Sequence, residues 1–271
     1  QTPPPSAFRG TGTGAPWFHI PGVFGLEFLP RSIADAVGRQ TRYYDGLQYP
    51  GVDGRSDPAT TVPEIAAALV RQIQILWPGG PIRLSGYSMG GLVAFETARQ
   101  LADSGRSVDH VVLFDTRLLY NARRKSTVEQ ARILRRRFRE QPADRRWGWV
   151  RELVQHKLSR KVRQLVLRMG AGPRDLQERM EIAGWAASAA HRPRPYAGRV
   201  TLLRSTRMGE LDSGAWERDP WNGWSPFLHP GFEVRHIDCD HERTFLEPVS
   251  PDVLAVIGEL LKPSASAGGT G

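Results

Sequence analysis

Cysteine is almost missing from this chain: Cys239 stands alone among 271 residues. One thiol cannot close an internal disulfide, and this usage fits a reducing compartment, here expected to be the cytoplasm. No spacing of Cys and His matches a structural metal site, which argues against a metal-held scaffold. No apolar run approaches the ~18 residues of a membrane span. No internal repeat is visible, so a solenoid is not expected. The first residues, QTPPPSAFRGTGTG, lack the charged-then-apolar order of a signal peptide and begin without Met. Their composition reads as a linker over residues 1–14, and SASAGGTG reads as a flexible tail over 263–271. The expectation is one domain, residues 15–262, cut from a longer polypeptide.

What is present supports that size of domain. A 40% hydrophobic content can fill one substantial core. The net charge of +9 is concentrated: residues 117–168 carry 14 Arg and 3 Lys against 4 acids, a surplus of +13, and the rest of the chain stands at −4. Basicity therefore belongs to one segment.

Six apolar stretches read as strands: Trp17–Ile20, Thr41–Gln48, Ile82–Tyr87, His110–Phe114, Val200–Arg204 and Phe232–Ile237. HVVLF and VTLL are apolar on both faces, as parallel strands covered by helices must be. Helical periodicity over Val62–Trp77, Leu92–Asp103 and Pro251–Leu261 separates several of them. Alternating strand and helix predicts an α/β fold, a mostly parallel sheet with helices on both faces. From about 117 to 190 the pattern turns wholly helical. An apolar stripe from Val150 through Leu153, Leu158, Val162 and Leu165 to Met169 runs opposite the arginines. This predicts a helical insertion shaped as a lid.

The chemistry begins at Gly86-Tyr87-Ser88-Met89-Gly90, between the strand Ile82–Tyr87 and an amphipathic helix. A GxSxG pattern gains weight from that setting, because a sharp strand-to-helix corner lifts a serine hydroxyl clear of the sheet. Small residues at 86 and 90 relieve the crowding where strand and helix cross. A serine needs a base, and the base needs an orienting group. Of seven histidines, His241 follows the last predicted strand and sits at the carboxyl edge of the sheet, the same edge as Ser88. His229 is its rival in a nearby loop. His110 and His236 belong to strands, and His156 and His191 to the insertion or its border. For the acid, Asp115 ends HVVLF, while Glu210 and Asp212 follow the next strand. Position alone permits either. Backbone N–H donors for an oxyanion are expected from Met89, directly after the serine, and from the HIPGVFG loop, with Val23 the candidate there.

Read together, HIPGVFG (19–25), LQYPGVDG (47–54), TVPEIAAALV (61–70), GPIRLSGYSMGGLVAFETARQL (80–101) and VVLFDT (111–116) resemble a type I thioesterase domain of nonribosomal peptide and polyketide synthases. The resemblance is specific over about 16–116, weaker over 198–261, and absent in detail across the insertion. It implies an α/β-hydrolase fold with an inserted helical lid. It also favours Asp115 as the acid, since the family places that residue 27 positions beyond the serine, as here. The family's Asp-His pair near the C-terminus matches Asp240-His241. Tyr87 before the serine favours the synthase-terminal type over separate editing thioesterases.

The implied reaction attacks an acyl thioester presented on the phosphopantetheine arm of a carrier protein, a domain expected in the same polypeptide. It needs no cofactor and no metal. Hydrolysis and macrocyclisation both follow from the same acyl-enzyme. The basic insertion then reads as a docking face for an acidic carrier, in preference to a nucleic-acid or lipid site. A free-standing serine esterase or lipase, or a non-catalytic basic binding protein on a hydrolase scaffold, are the alternative readings.

Overall fold

A computed structural model describes residues 8–118, 120, 125–154, 175–207 and 219–261 of the protein. Six strands form one sheet in the order β2-β1-β3-β4-β5-β6, with each neighbouring pair parallel. They are β1 (Gly14–Ile20), β2 (Thr41–Tyr44), β3 (Ile82–Tyr87), β4 (Val108–Phe114), β5 (Val200–Ser205) and β6 (Phe232–Ile237). The helices are α1 (Arg31–Gly38), α2 (Val62–Leu76), α3 (Met89–Asp103), α4 (Thr127–Glu140), α5 (Leu176–Ala190) and α6 (Pro251–Leu261).

Side-chain alternation along each strand divides the core into two layers. Phe18, Ile20, Leu84, Val111, Leu113, Val200 and Leu202 pack under α2 and α3. Trp17, Val112, Phe114, Leu203 and Ile237 face the other way, under α1 and α6. The doubly apolar reading of HVVLF and VTLL is thus explained: both faces of β4 and β5 are covered. At roughly 1.5–3 kcal/mol for each fully buried large apolar side chain, these two layers dominate the favourable side of folding.

Several elements differ from the sequence reading; β1, α2, β4 and β5 shift by one to three residues at one end, and three differences have a physical reason. The second strand stops at Tyr44 instead of Gln48. Beyond it, the Asp45 carboxylate accepts the Leu29 N–H at 3.1 Å and the Gln72 side chain takes the Gln48 N–H at 3.1 Å, so side chains replace the ladder. Helix α3 starts at Met89, three residues before its apolar periodicity begins, because the corner itself is helical from there. Helix α1 has no counterpart in the sequence reading: at eight residues it buries only Ile33 and Val37 fully, with Ala34 and Ala36 partly covered against the same core. The insertion is helical where described, in α4, over residues 146–154 and in α5. Much of the predicted apolar stripe, from Leu158 to Met169, lies outside the described residues.

The chain leaves β1 toward β2 on one side, then crosses to β3 on the other. The strand order therefore reverses between β1 and β3, and their carboxyl ends open a crevice, the usual ligand position in open parallel sheets. The loop after β1 and the corner after β3 both empty into it. No helix among the described residues is long and apolar enough to cross a membrane.

Candidate active site

Ser88 sits at the corner between β3 and α3 with φ 53° and ψ −117°. A non-glycine residue in such a conformation costs of order 1–3 kcal/mol and persists only where its surroundings enforce it. Here the Ser88 N–H donates to the Phe114 carbonyl at 2.9 Å, tying the corner to the end of β4. Glycine is required on both sides: a Cβ on Gly86 would lie 2.2 Å from the Gly90 carbonyl carbon, and one on Gly90 would lie 2.6 Å from the Ile20 oxygen. Strand, helix and the end of β1 thus converge too closely for any larger residue. The Met89 N–H, at the first position of α3, has no intrahelical acceptor, and no side chain caps this helix start.

Among the described residues three non-glycine positions have positive φ: Ser88, Asp115 and Asn222. Asn222 bonds directly to Asp115, and Ser88 is tied to Phe114, the residue before Asp115. Asp115 follows β4 and is 4% exposed. Its Oδ2 lies 2.8 Å from His241 Nδ1 and accepts the Ser205 hydroxyl at 2.6 Å. Its Oδ1 accepts the Ser205 N–H and the Asn222 amide, each at 2.9 Å. Burial alone would push this carboxyl up, but the hydrogen bonds from His241 and Ser205 hold it well below the usual carboxylate range. A carboxylate so fixed sets the His241 ring with Nδ1–H toward Asp115 and Nε2 free to accept a proton.

His241 is 37% exposed, so the ring is held from below and open above. Beneath it lies Tyr87, stacked at 4.7 Å between centroids, and Tyr87 in turn stacks on Phe245 at 4.9 Å. Burial, then the nearby Glu242 and Asp115 carboxylates, drive the Tyr87 phenol far above its ordinary range, so it stays neutral under the imidazole. Three other described histidines are engaged elsewhere, and His191, buried at the end of α5, lies beside Glu96 and Arg99 of α3 and not at this site. His110 Nε2 meets the Thr201 hydroxyl at 2.9 Å, and burial together with Arg199 and Arg83 lowers its pKa to about 3. His229 accepts the Gly231 N–H, and His236 lies 3.0 Å from the Pro220 carbonyl. Glu210, Asp212 and His156 lie outside the described residues.

The loop after β1 reaches the same crevice. A Cβ on Gly184 of α5 would fall 2.8 Å from Val23 Cγ2 and 3.1 Å from Met89 Sδ. Val23 and Met89 are therefore neighbours, and the last helix of the insertion rests directly on both. Ser205, Asn222 and Phe245 were not singled out from sequence, and Tyr87 was read only as a mark of family type, not as the floor of His241. A signal for Ser205 existed: in a parallel sheet with Phe114 opposite Leu203, a residue just beyond β4 must meet the end of β5. Asn222 had none. The structure thus brings an imidazole oriented by Asp115 to the sheet edge where Ser88 sits, with Tyr87, the residue before the serine, stacked on the His241 ring. Among the described residues no cluster of three or more His, Cys, Asp or Glu could hold a metal ion.

Comparison with known proteins adds the lineage. The malpinin synthetase of Mortierella alpina is 26% identical over 250 residues, 92% of this chain and 3% of that protein. A dimodular nonribosomal peptide synthase of Bacillus subtilis (strain 168) is 26% identical over 265 residues, 93% of this chain and 10% of that protein. The indigoidine synthase of Streptomyces lavendulae is 37% identical over 103 residues, 38% of this chain and 8% of that protein. The chain thus spans a tenth or less of these relatives. Among solved structures, the NocB thioesterase domain in covalent complex with a fluorophosphonate nocardicin G analog superposes with a TM-score of 0.63 at 25% identity, covering 92% of this chain and 96% of that one. The type II thioesterase BorB of the borrelidin cluster shares the fold, with a TM-score of 0.60 at 19% identity over 93% of each chain. The family model described as "Thioesterase domain" matches residues 18–255, and with the α/β-hydrolase architecture in place the chain belongs to that thioesterase family.

Proposed function

We propose that this domain releases an acyl or peptidyl chain from the phosphopantetheine thioester of a carrier protein through an acyl-enzyme on Ser88. The observation that carries this reading is the strained Ser88 corner at the same sheet edge as the Asp115–His241 pair. Ser88 Oγ attacks the thioester carbonyl while His241 Nε2 takes its proton. Asp115 keeps Nδ1–H oriented and stabilises the imidazolium that forms. The N–H groups of Met89 and Val23 receive the oxyanion. The C–S bond then breaks, and the carrier thiol leaves with the proton from His241. Water, or an amine or hydroxyl within the acyl chain, repeats the sequence in reverse and frees the product as an acid or a ring. No resident cofactor takes part.

The relatives named above are far longer synthases, and a carrier domain in the same polypeptide as this one is part of the proposal. The exposed Arg135, Arg136 and Arg139 of α4 give the carrier's acidic face a surface to approach.

The test uses a fluorophosphonate, the class of reagent that forms the NocB covalent complex. Intact-mass measurement should find one phosphonyl group on the wild type and none on Ser88→Ala. Equal labelling of the two proteins refutes Ser88 as the nucleophile.

A further inference from the structure

Behind the crevice runs a second set of contacts that no step of the proposed reaction uses. Trp17, Ser85 and His19 are buried, on β1 and β3. The Trp17 indole N–H donates to Ser85 Oγ at 2.6 Å, and His19 Nδ1 lies 3.0 Å from the same oxygen. The indole can only donate, so Ser85 Oγ accepts from Trp17 and keeps capacity for one further bond, to His19 Nδ1; the Glu27 carboxylate, which can only accept, requires the hydrogen on the other ring nitrogen. That leaves His19 Nε2–H facing Glu27 Oε2 at 3.3 Å. The same Glu27 oxygen accepts the Gly22 N–H at 3.2 Å. The chain of bonds therefore starts three residues before Ser88 on β3 and ends on the residue before Val23.

Its consequence is directional. Successive peptide N–H groups in a tight loop cannot all point into the crevice. With the Gly22 N–H turned onto Glu27, and the Gly25 N–H closing on the Gly22 carbonyl at 3.0 Å, the peptide between Gly22 and Val23 is fixed at both ends. The Tyr49 hydroxyl also donates to the Pro21 carbonyl and pins the loop's entry. His19 has a further contact: its ring stacks on Phe245 at 4.9 Å, and Phe245 continues through Tyr87 to His241. One buried imidazole thus braces the loop through hydrogen bonds and the floor of His241 through ring stacking.

We propose that Glu27, held by His19, is a positioning residue that occupies the Gly22 N–H and so sets the Val23 N–H as the loop's oxyanion donor. The inference rests on the acyl-enzyme reading above. Glu27 touches no reacting atom; it acts through the loop backbone. What it supplies is an acceptor at a fixed reach rather than a charge.

The test compares Glu27→Gln, Glu27→Ala and Glu27→Asp in the intact domain with a small acyl thioester and with a fluorophosphonate. Removing an oxyanion donor outright costs about 10²–10³ in kcat, and a misplaced one costs less. Glu27→Ala and Glu27→Asp should lower kcat roughly 10- to 100-fold, with KM changed by less than about threefold. The rate of phosphonylation at Ser88 should fall in parallel, since the phosphonyl oxygen needs the same donors. Glu27→Gln keeps an acceptor of the right length and should recover to within about fivefold of wild type. Melting temperatures show whether each variant is folded. The proposal is overturned if Glu27→Ala acts at the wild-type rate, if the loss lies in KM alone, or if Glu27→Gln is as impaired as Glu27→Ala. A failure of the acyl-enzyme reading looks different: the wild type itself would resist phosphonylation, or Ser88→Ala would accept it.

Discussion

Helices α3 and α4 are nearly equal in length and opposite in what holds them. Helix α3 buries 12 of its 15 residues and has no side-chain cap at its start; Ser88 occupies that position in a strained conformation instead. Helix α4 carries a full capping box, with Ser126 and Glu129 each satisfying the other's backbone, and basic residues in its last turn. Yet its one buried residue is Arg137. The first helix is held by tertiary packing and can tolerate a poor N-terminus, which frees that N-terminus for chemistry. The second has its ends specified locally, but a helix of 14 residues is marginal alone and leans on its neighbours in the insertion, Arg137 on Trp149 and Phe138 on Trp147. The scaffold of the site is thus rigid by burial, while the insertion is a set of locally capped pieces laid over it.

If that contrast is right, damage at the sheet edge should be large and indifferent to the form of the substrate. Asp115→Asn is the strongest case. It removes the carboxylate that fixes His241 and leaves Ser205 and Asn222 facing a mixed donor–acceptor amide. Acylation should fall about 10³–10⁴-fold, as loss of the orienting carboxylate does in serine hydrolases. The measurement is the pre-steady-state burst with a chromogenic thioester, and a loss below tenfold would remove Asp115 from the role. The substitution should also change acid stability. The Asp115 pKa is depressed in the fold, so its contribution is present above the ordinary value of 3.8 and is lost as pH falls through the lower folded value. Unfolding curves for Asp115→Asn should therefore depend less on pH below about 4 than those of wild type.

A middle-sized effect is expected where insertion and sheet touch. At Gly184 the lid helix leaves no room for a side chain against Val23 and Met89. Gly184→Val must displace either α5 or the loop after β1, and over-packing of this kind typically costs 1–3 kcal/mol. Since the displaced atoms border the oxyanion donors, kcat/KM should drop roughly 10- to 100-fold for carrier-bound and small thioesters alike. Steady-state kinetics on both substrates is the check. A loss confined to the carrier-bound substrate would make α5 an entry gate instead of a wall of the site.

The sheet and the serine corner were legible in the sequence because each is written locally. A doubly apolar run such as HVVLF can only be a covered strand, and Gly86 and Gly90 mark a backbone crossing that no larger residue survives. The acid was half legible: a strand-end Asp after such a run has two equivalent rivals until the 27-residue spacing is weighed, and those rivals fall on residues the structure does not describe. Ser205, Asn222, His19 and Glu27 were not legible, because each depends on which strands lie side by side and how loops fold back. Charge in the insertion was legible as a sum but not as a surface. Arg137 lies against the Trp149 ring at 5.6 Å, and Arg146 donates to the Gln141 and Arg139 carbonyls. These cations are fasteners within the insertion, which composition alone could not separate from exposed ones.

That separation sharpens the smallest predicted effect. Arg135, Arg136 and Arg139 are exposed on α4, with Arg136 loosely paired to Glu140 at 3.5 Å. Exposed charges of this kind steer encounters and contribute little to stability. Exchanging the three for Gln, while keeping Arg137, should lower kcat/KM for a carrier-bound acyl thioester about three- to tenfold at low salt. The difference should close as ionic strength rises past ~0.1 M, where the screening length is ~10 Å. A small thioester without carrier or phosphate should react with both proteins at nearly one rate. Arg137→Gln supplies the contrast: it should lower the melting temperature by loosening the Trp149 contact, and its kinetic effect should not follow salt. If the triple exchange leaves carrier-bound turnover unchanged at low salt, α4 is a solvated face. Docking would then have to use another surface, with Arg145, also exposed, the next cation to exchange.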